Sequence, residues 1–142
     1  MTKIKKHTLA KQKKEEIKKT ISTCLLQHDE IFAAYIFGSF ITGESFADID
    51  LGLLLRHEFE NPLEYEIELE SKLEKLVKFG MDVRVLNKAP VSFAQNVIRH
   101  GQVIVDTDPN GRSDFESYAL KKYFDFARFR RRYLAEVSNA PI

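Results

Sequence analysis

Two short apolar runs, at 31–37 (IFAAYIF) and 48–55 (DIDLGLLL), constrain this chain most. The first is β-branched, aromatic and alanine-rich, is too short for a helix core, and stops at Gly38. Both read as buried strands. Around them the hydrophobic period alternates. Residues 9–28 carry Ile17, Ile21, Cys24 and Leu25 on one helical stripe among lysines. Asn61-Pro62 is an N-cap followed by Pro at the first helical position. The segment behind it, LEYEIELE, also alternates with period two, but Tyr65, Leu69, Leu73 and Leu76 form a helical stripe, so a helix is expected to about residue 79, ended by Gly80. Residues 81–86 (MDVRVL) are a third strand. A short helix over 91–99 with Gly101 as its C′ residue and a fourth strand at 102–106 follow. Ser113-x-x-Glu116 is a capping box that opens a long last helix to about 137. Strands alternating with helices indicate an α/β or α+β fold, a small sheet covered by helices.

Composition narrows the class. At 142 residues, 44% of them hydrophobic, the chain is long enough for one domain with its own core and too apolar for a disordered segment. A net charge of +1 argues against a globally basic nucleic-acid coat. Cys24 is alone, so no internal disulfide forms, and no apolar run approaches the roughly 20 residues that span a bilayer. The basic N-terminus has no apolar segment behind it and is not a signal peptide. A soluble, cytoplasmic protein is expected, with no membrane association. The charge is unevenly laid out: eight lysines in the first 19 residues, seven glutamates between 58 and 74, and Arg128, Arg130, Arg131 and Arg132 near the end. For the acidic block, a solvated helix face is favoured over a partner surface.

Chemistry concentrates at 35–55 (YIFGSFITGESFADIDLGLLL). Strand residues two apart share a face, so Asp48 and Asp50 project side by side at the head of an apolar strand. Two carboxylates so placed are costly without a positive partner, and Mg²⁺, a hard cation that prefers oxygen, fits that need. An isolated Asp-x-Asp is more often just a polar strand start. Gly38-Ser39 tips the balance: glycine after a buried strand lets the backbone approach a ligand, and the Ser39 hydroxyl can donate to a phosphate oxygen. A plain strand-to-helix turn capped by Ser39 is compatible with that role. Asp82, in the third strand, can reach the same sheet face; taken alone it is as readily structural as functional.

Gly38-Ser39, Asp48 and Asp50 in DIDLGLLL, Asp82 in MDVRV, and the later order of short helix, glycine, strand and final helix resemble the nucleotidyltransferase superfamily that includes DNA polymerase β. The pattern is most similar to its minimal nucleotidyltransferase (MNT) family, many of whose members are MntA-like antitoxins paired with HEPN-type toxins. The resemblance covers roughly residues 30–137. It implies one minimal nucleotidyltransferase domain over 1–142, with a core at about 9–137 and residues 1–8 frayed. It also implies Mg-dependent transfer of a nucleoside monophosphate, AMP from ATP in the favoured version, to a hydroxyl such as a tyrosine of the toxin. Carried over, Gly38 and Ser39 hold the triphosphate, Asp48 and Asp50 ligate Mg²⁺, and Asp82 completes the metal site and helps activate the acceptor; two ions are expected, with Mn²⁺ as a substitute. Many relatives have Arg shortly after Gly-Ser, where this chain has Phe40-Ile41-Thr42-Gly43. The spacer from Ser39 to Asp48 is eight residues, shorter than the commonest form, and Ala47 precedes the first Asp.

Two other readings compete. One is transfer to a small hydroxylated molecule, ranked lower because little chain is left for a dedicated pocket. The other is a non-catalytic binding module that silences a partner by burial. Seven of the sixteen aromatics lie in the last helix (Phe115, Tyr118, Tyr123, Phe124, Phe126, Phe129, Tyr133) and cannot share one stripe. They either cap the small sheet's open side or, with the interleaved arginines, suit a protein partner, the HEPN-type toxin by resemblance, or a second copy; nucleic acid ranks below these. His7, His28, His57 and His100 show no ligand spacing.

Overall fold

The computed structural model of the chain describes residues 5–139. Its elements are α1 (Lys11–Leu25), β1 (Ile31–Phe37), α2 (Ser39–Thr42), β2 (Asp48–Leu55), α3 (Pro62–Val77), β3 (Gly80–Val85), α4 (Val91–His100), β4 (Gln102–Asp106) and α5 (Pro109–Asn139). The strands form one mixed sheet in the order β3-β2-β1-β4. β1 runs antiparallel to β2 and β4, while β2 and β3 are parallel and joined through α3. This is the small mixed sheet with a long C-terminal helix that the alternating periods imply. The one-turn α2 is not announced by periodicity, because four residues cannot display a stripe.

Period two divides β1 and β2 between two cores. Ile36 of β1 and Ile49, Leu51, Leu53 and Leu55 of β2 pack with Ile17, Ile21, Cys24 and Leu25 of α1 and with Leu69, Leu73 and Val77 of α3. The alternate residues Ala33, Tyr35, Phe37 and Leu54 pack on the other face with Val97 of α4, against which Phe93 and Phe115 lean. Burying side chains of this size stabilises by roughly 1.5–3 kcal/mol each, which makes the central strands the anchor of the fold. The α1 stripe is the expected one. The α3 stripe is corrected: Val77 is buried where Leu76 was expected, and Leu76 is half exposed.

The helix ends bring further corrections. Asn61 caps α3 as expected, its side-chain oxygen accepting from the Glu64 N–H at 3.4 Å. Gly80 does not end that helix. Lys78, at φ 66°, turns the chain out of α3, and Gly80 is already the first residue of β3. Gly101 follows α4 in extended backbone instead of the left-handed form. The last helix opens at Pro109, ahead of the Ser113-x-x-Glu116 box, because the Asp108 carboxylate accepts from the Gly111 N–H at 3.1 Å and Pro109 supplies a preset φ. Asp108-Pro109 repeats the signature of Asn61-Pro62. Glu116 instead pairs with Arg112, whose guanidinium also lies 3.0 Å from Asp106 and ties α5 to β4.

The acidic block is more than a solvated face. β3 is an edge strand, and its outward N–H groups find carboxylates on α3: Met81 donates to Glu74 (3.0 Å), Val83 to Glu70 (2.8 Å) and Val85 to Glu66 (2.7 Å). Four-residue helical spacing matches two-residue strand spacing closely enough to make a ladder.

Residues 1–4 of the stretch expected to fray lie outside the described residues. His7 is tied down, exchanging backbone hydrogen bonds with Phe46 (2.8 and 3.0 Å) and packing on the Phe46 and Phe79 rings. At the other end, α5 leaves the body: Ala119 is buried, but every residue from Arg128 to Ser138 is exposed. No described helix is long and apolar enough to cross a membrane.

Candidate active site

The sheet register assembles the carboxylates. In the parallel β2–β3 pair, Asp50 stands opposite Asp82 and Asp48 opposite Gly80. Paired residues of neighbouring strands point to the same face, so Asp48, Asp50 and Asp82 share one face, with Ile49, Leu51 and Val83 turned into the opposite core. Asp48 is exposed; Asp50 and Asp82 are partly buried. On its other side Asp50 pairs with Phe37. Burial first, then the charges of Asp82 and Asp48, push the Asp50 carboxyl up to about 6, against the opposing pull of Arg84.

Two glycines make room for these side chains. Gly38 follows β1 at φ 78°, and a Cβ there would fall 2.1 Å from Asp50 Oδ2. A Cβ on Gly80 would fall 2.2 Å from Asp48 Oδ1. Gly38 also opens α2: its carbonyl accepts from the N–H groups of Ile41 (3.0 Å) and Thr42 (3.1 Å), and from the Thr42 hydroxyl at 3.2 Å. Ser39 is exposed at the head of that turn, beside the carboxylate face. All five residues singled out by motif thus sit around one corner of the sheet.

Arg84 was missed by motif reading. It lies two residues beyond Asp82, hence on the same face, and its Nε donates to Asp82 Oδ1 at 3.0 Å. The period-two argument that pairs Asp48 with Asp50 would have found it. A groove opens from here between α3 and the start of α4, lined by Leu63, Ile67, Asp82, Arg84, Pro90 and Phe93.

The donor set fits a hard divalent cation. The charges of Asp82 and Asp48 bear on Asp50 with Arg84 opposing them, and Gly38 keeps the space above Asp50 free of side chain. Among the described residues no group of three or more His, Cys, Asp or Glu is placed to hold a metal ion by itself. Mg²⁺ is usually held by one or two carboxylates plus substrate phosphates, so Asp48 and Asp50 supply the kind of donor it takes.

A family model described as polymerase beta, nucleotidyltransferase, matches residues 18–110, more than half of the chain. The chain belongs to that family. Solved structures similar to this nucleotidyltransferase include the complex of a tri-AMPylated Shewanella oneidensis HEPN toxin with MNT antitoxin. There the identity is 20% and the TM-score 0.69, over 88% of this chain and 98% of the other. A toxin–antitoxin structure with AMP-PNP is similar at 22% identity and TM-score 0.70, over 85% and 98% of the two chains. The toxin–antitoxin MntA-HepT matches at 19% identity and TM-score 0.64, over 91% and 99%. At these identities the likeness is one of fold. No curated protein matches the sequence.

Proposed function

We propose that this nucleotidyltransferase domain moves AMP from ATP to a hydroxyl of a partner protein, and that it is an MNT-type antitoxin whose acceptor is a tyrosine of a HEPN-type toxin. The observation that carries the reading is the three-carboxylate face of Asp48, Asp50 and Asp82 beside the Gly38-Ser39 turn, in a chain of this family. The folds of known toxin–antitoxin complexes, one of them with an AMPylated toxin, support the choice of acceptor.

Asp48 and Asp50 would hold Mg²⁺, or Mn²⁺ in its place, with Asp82 completing a two-ion site. When bound, the metal supplies charge neutralisation for the triphosphate and the leaving pyrophosphate. The chain's own residues do the rest. The Gly38-Ser39 turn seats the phosphates through backbone N–H groups and the Ser39 hydroxyl. The acceptor oxygen bonds to the α-phosphorus while the bond from that phosphorus to the bridging oxygen breaks and pyrophosphate leaves. The acceptor proton passes to a carboxylate oxygen of Asp82, which the Arg84 Nε–H orients from its other oxygen.

The distal half of α5 supports a protein acceptor. Phe126 (61% exposed), Phe129 (68%), Tyr133, Leu134 and Val137 lie open beside Arg128 and Arg130–Arg132. Aromatics with arginines are the composition of interface centres.

The deciding experiment incubates the protein with Mg²⁺, α-labelled ATP and an extract of its source organism, with an Asp48→Asn/Asp50→Asn double variant alongside. One labelled protein, absent with the variant, is expected. Label only in a small molecule would replace the protein acceptor with a metabolite. Capture of a partner without label would make the chain a binding module.

A further inference from the structure

The turn that carries Gly38 and Ser39 is held from outside the region matched by the family model. Lys14, on α1, extends its ammonium to the Phe40 carbonyl at 2.8 Å and the Gly43 carbonyl at 3.3 Å. Its Nζ also lies 5.3 Å from the centre of the Phe40 ring and 5.7 Å from that of Phe46. Those two rings meet edge to face at 4.9 Å, both fully buried. The backbone exchange between His7 and Phe46 closes the same loop at its other end. Residues 39–46 are thus clamped at two points by the segment that precedes residue 18, where the family match begins.

The clamp answers a physical need. A one-turn helix leaves its last carbonyls without partners and has almost no stability of its own. An ammonium hydrogen-bonded to the Phe40 carbonyl of that turn and to the Gly43 carbonyl just after it, and lying over two rings, holds the turn in one conformation. Residues 39–46 carry no basic side chain of their own, so the phosphate contacts depend on where the turn itself is held.

We propose that Lys14 is a positioning residue for the nucleotide, acting through the Phe40 and Gly43 carbonyls to set the Gly38-Ser39 turn against the Asp50 carboxylate. The assignment rests on the proposed nucleotidyl transfer at this site. It makes α1 part of the nucleotide-binding apparatus, beyond its packing on the sheet.

The test compares the full-length wild type with Lys14→Met, Lys14→Gln and Lys14→Arg. Affinity for Mg-ATP and for AMP is measured by calorimetry, and thermal unfolding is followed in parallel. The expected result is a 5–20-fold loss of ATP affinity in Lys14→Met with AMP affinity changed less than twofold, and recovery of most of the loss in Lys14→Arg. A purely structural role would lower both affinities alike, or the melting temperature alone. Should Lys14→Met fail to fold, the same ATP-to-AMP comparison is read on Lys14→Gln, which keeps a neutral N–H₂ donor. An unchanged ATP-to-AMP ratio in the folded variant overturns the assignment while leaving the proposed function standing. Absence of nucleotide binding in the wild type overturns both.

Discussion

Gly38 and Asp50 occupy each other's space: a Cβ on the glycine would sit 2.1 Å from Asp50 Oδ2, at a backbone φ of 78°. The contact is between the end of β1 and the head of β2, so the turn and the carboxylate form a single unit. Gly38→Ala adds a left-handed alanine and a clash with a partly buried carboxyl. A loss of about 1–3 kcal/mol in unfolding free energy is expected. Mg-ATP binding should fall at least tenfold. Urea denaturation and calorimetry on the same sample check both, and a Gly38→Ala protein that binds ATP like the wild type would separate the turn from the site.

The pH dependence of the metal-free protein follows from Asp50. Its carboxyl is pushed up to about 6 by burial and by Asp82 and Asp48, above the ordinary 3.8. The folded state therefore holds this proton more tightly than the unfolded chain. Its contribution to stability is fully present below about pH 4 and is lost as pH rises through about 6. Asp50→Asn should flatten that part of the profile and stabilise the metal-free protein at pH 7 by on the order of 1 kcal/mol, the full shift being discounted for the solvent that reaches the group. Denaturation in EDTA from pH 4 to 8 measures it. Added Mg²⁺ should stabilise the wild type more than the variant.

The Glu66–Glu70–Glu74 ladder on β3 makes a prediction about folding and solubility. Glu70→Leu leaves the Val83 N–H without its carboxylate and should cost about 1–3 kcal/mol, whereas Glu70→Gln keeps an acceptor oxygen and should cost less than half of that. Replacing all three with Ala exposes the strand edge, and concentration-dependent association is the expected outcome. Urea titrations and light scattering distinguish the two effects.

Phe129, at 68% exposure, gives the complementary case. Phe129→Glu should change stability by no more than about 0.5 kcal/mol, since most of the ring is exposed. It should nevertheless weaken capture of the proposed partner protein in a pull-down, and Phe126→Glu should do the same. A full-strength pull-down with both replaced would move the partner surface away from α5.

Much of this molecule was legible locally. The stripe Ile17–Ile21–Cys24–Leu25 and the runs 31–37 and 48–55 carry their own periods, and the same-face placement of Asp48 and Asp50 needs only two-residue alternation. Arg84 was within reach of the same argument. Errors clustered where a local cue had two meanings. Gly80 reads as a helix terminator, yet it is a strand residue that leaves room for Asp48; Ser113-x-x-Glu116 reads as a cap, yet Asp108-Pro109 starts the helix and Glu116 serves Arg112.

Spacings of two to four residues were enough to place the strands and the longer helices, the two faces of the sheet and the pairing of the first two aspartates. The facing of Asp82 and Asp50, the closing of the sheet edge by Glu66, Glu70 and Glu74, and the reach of Lys14 to the Gly38-Ser39 turn come instead from the packing of the whole chain. The Asp50–Asp82 and Lys14–Phe40 contacts join residues 32 and 26 apart in the chain. Register and helix placement create such contacts, and both are set by burying the two cores, for which no short stretch of chain carries a period.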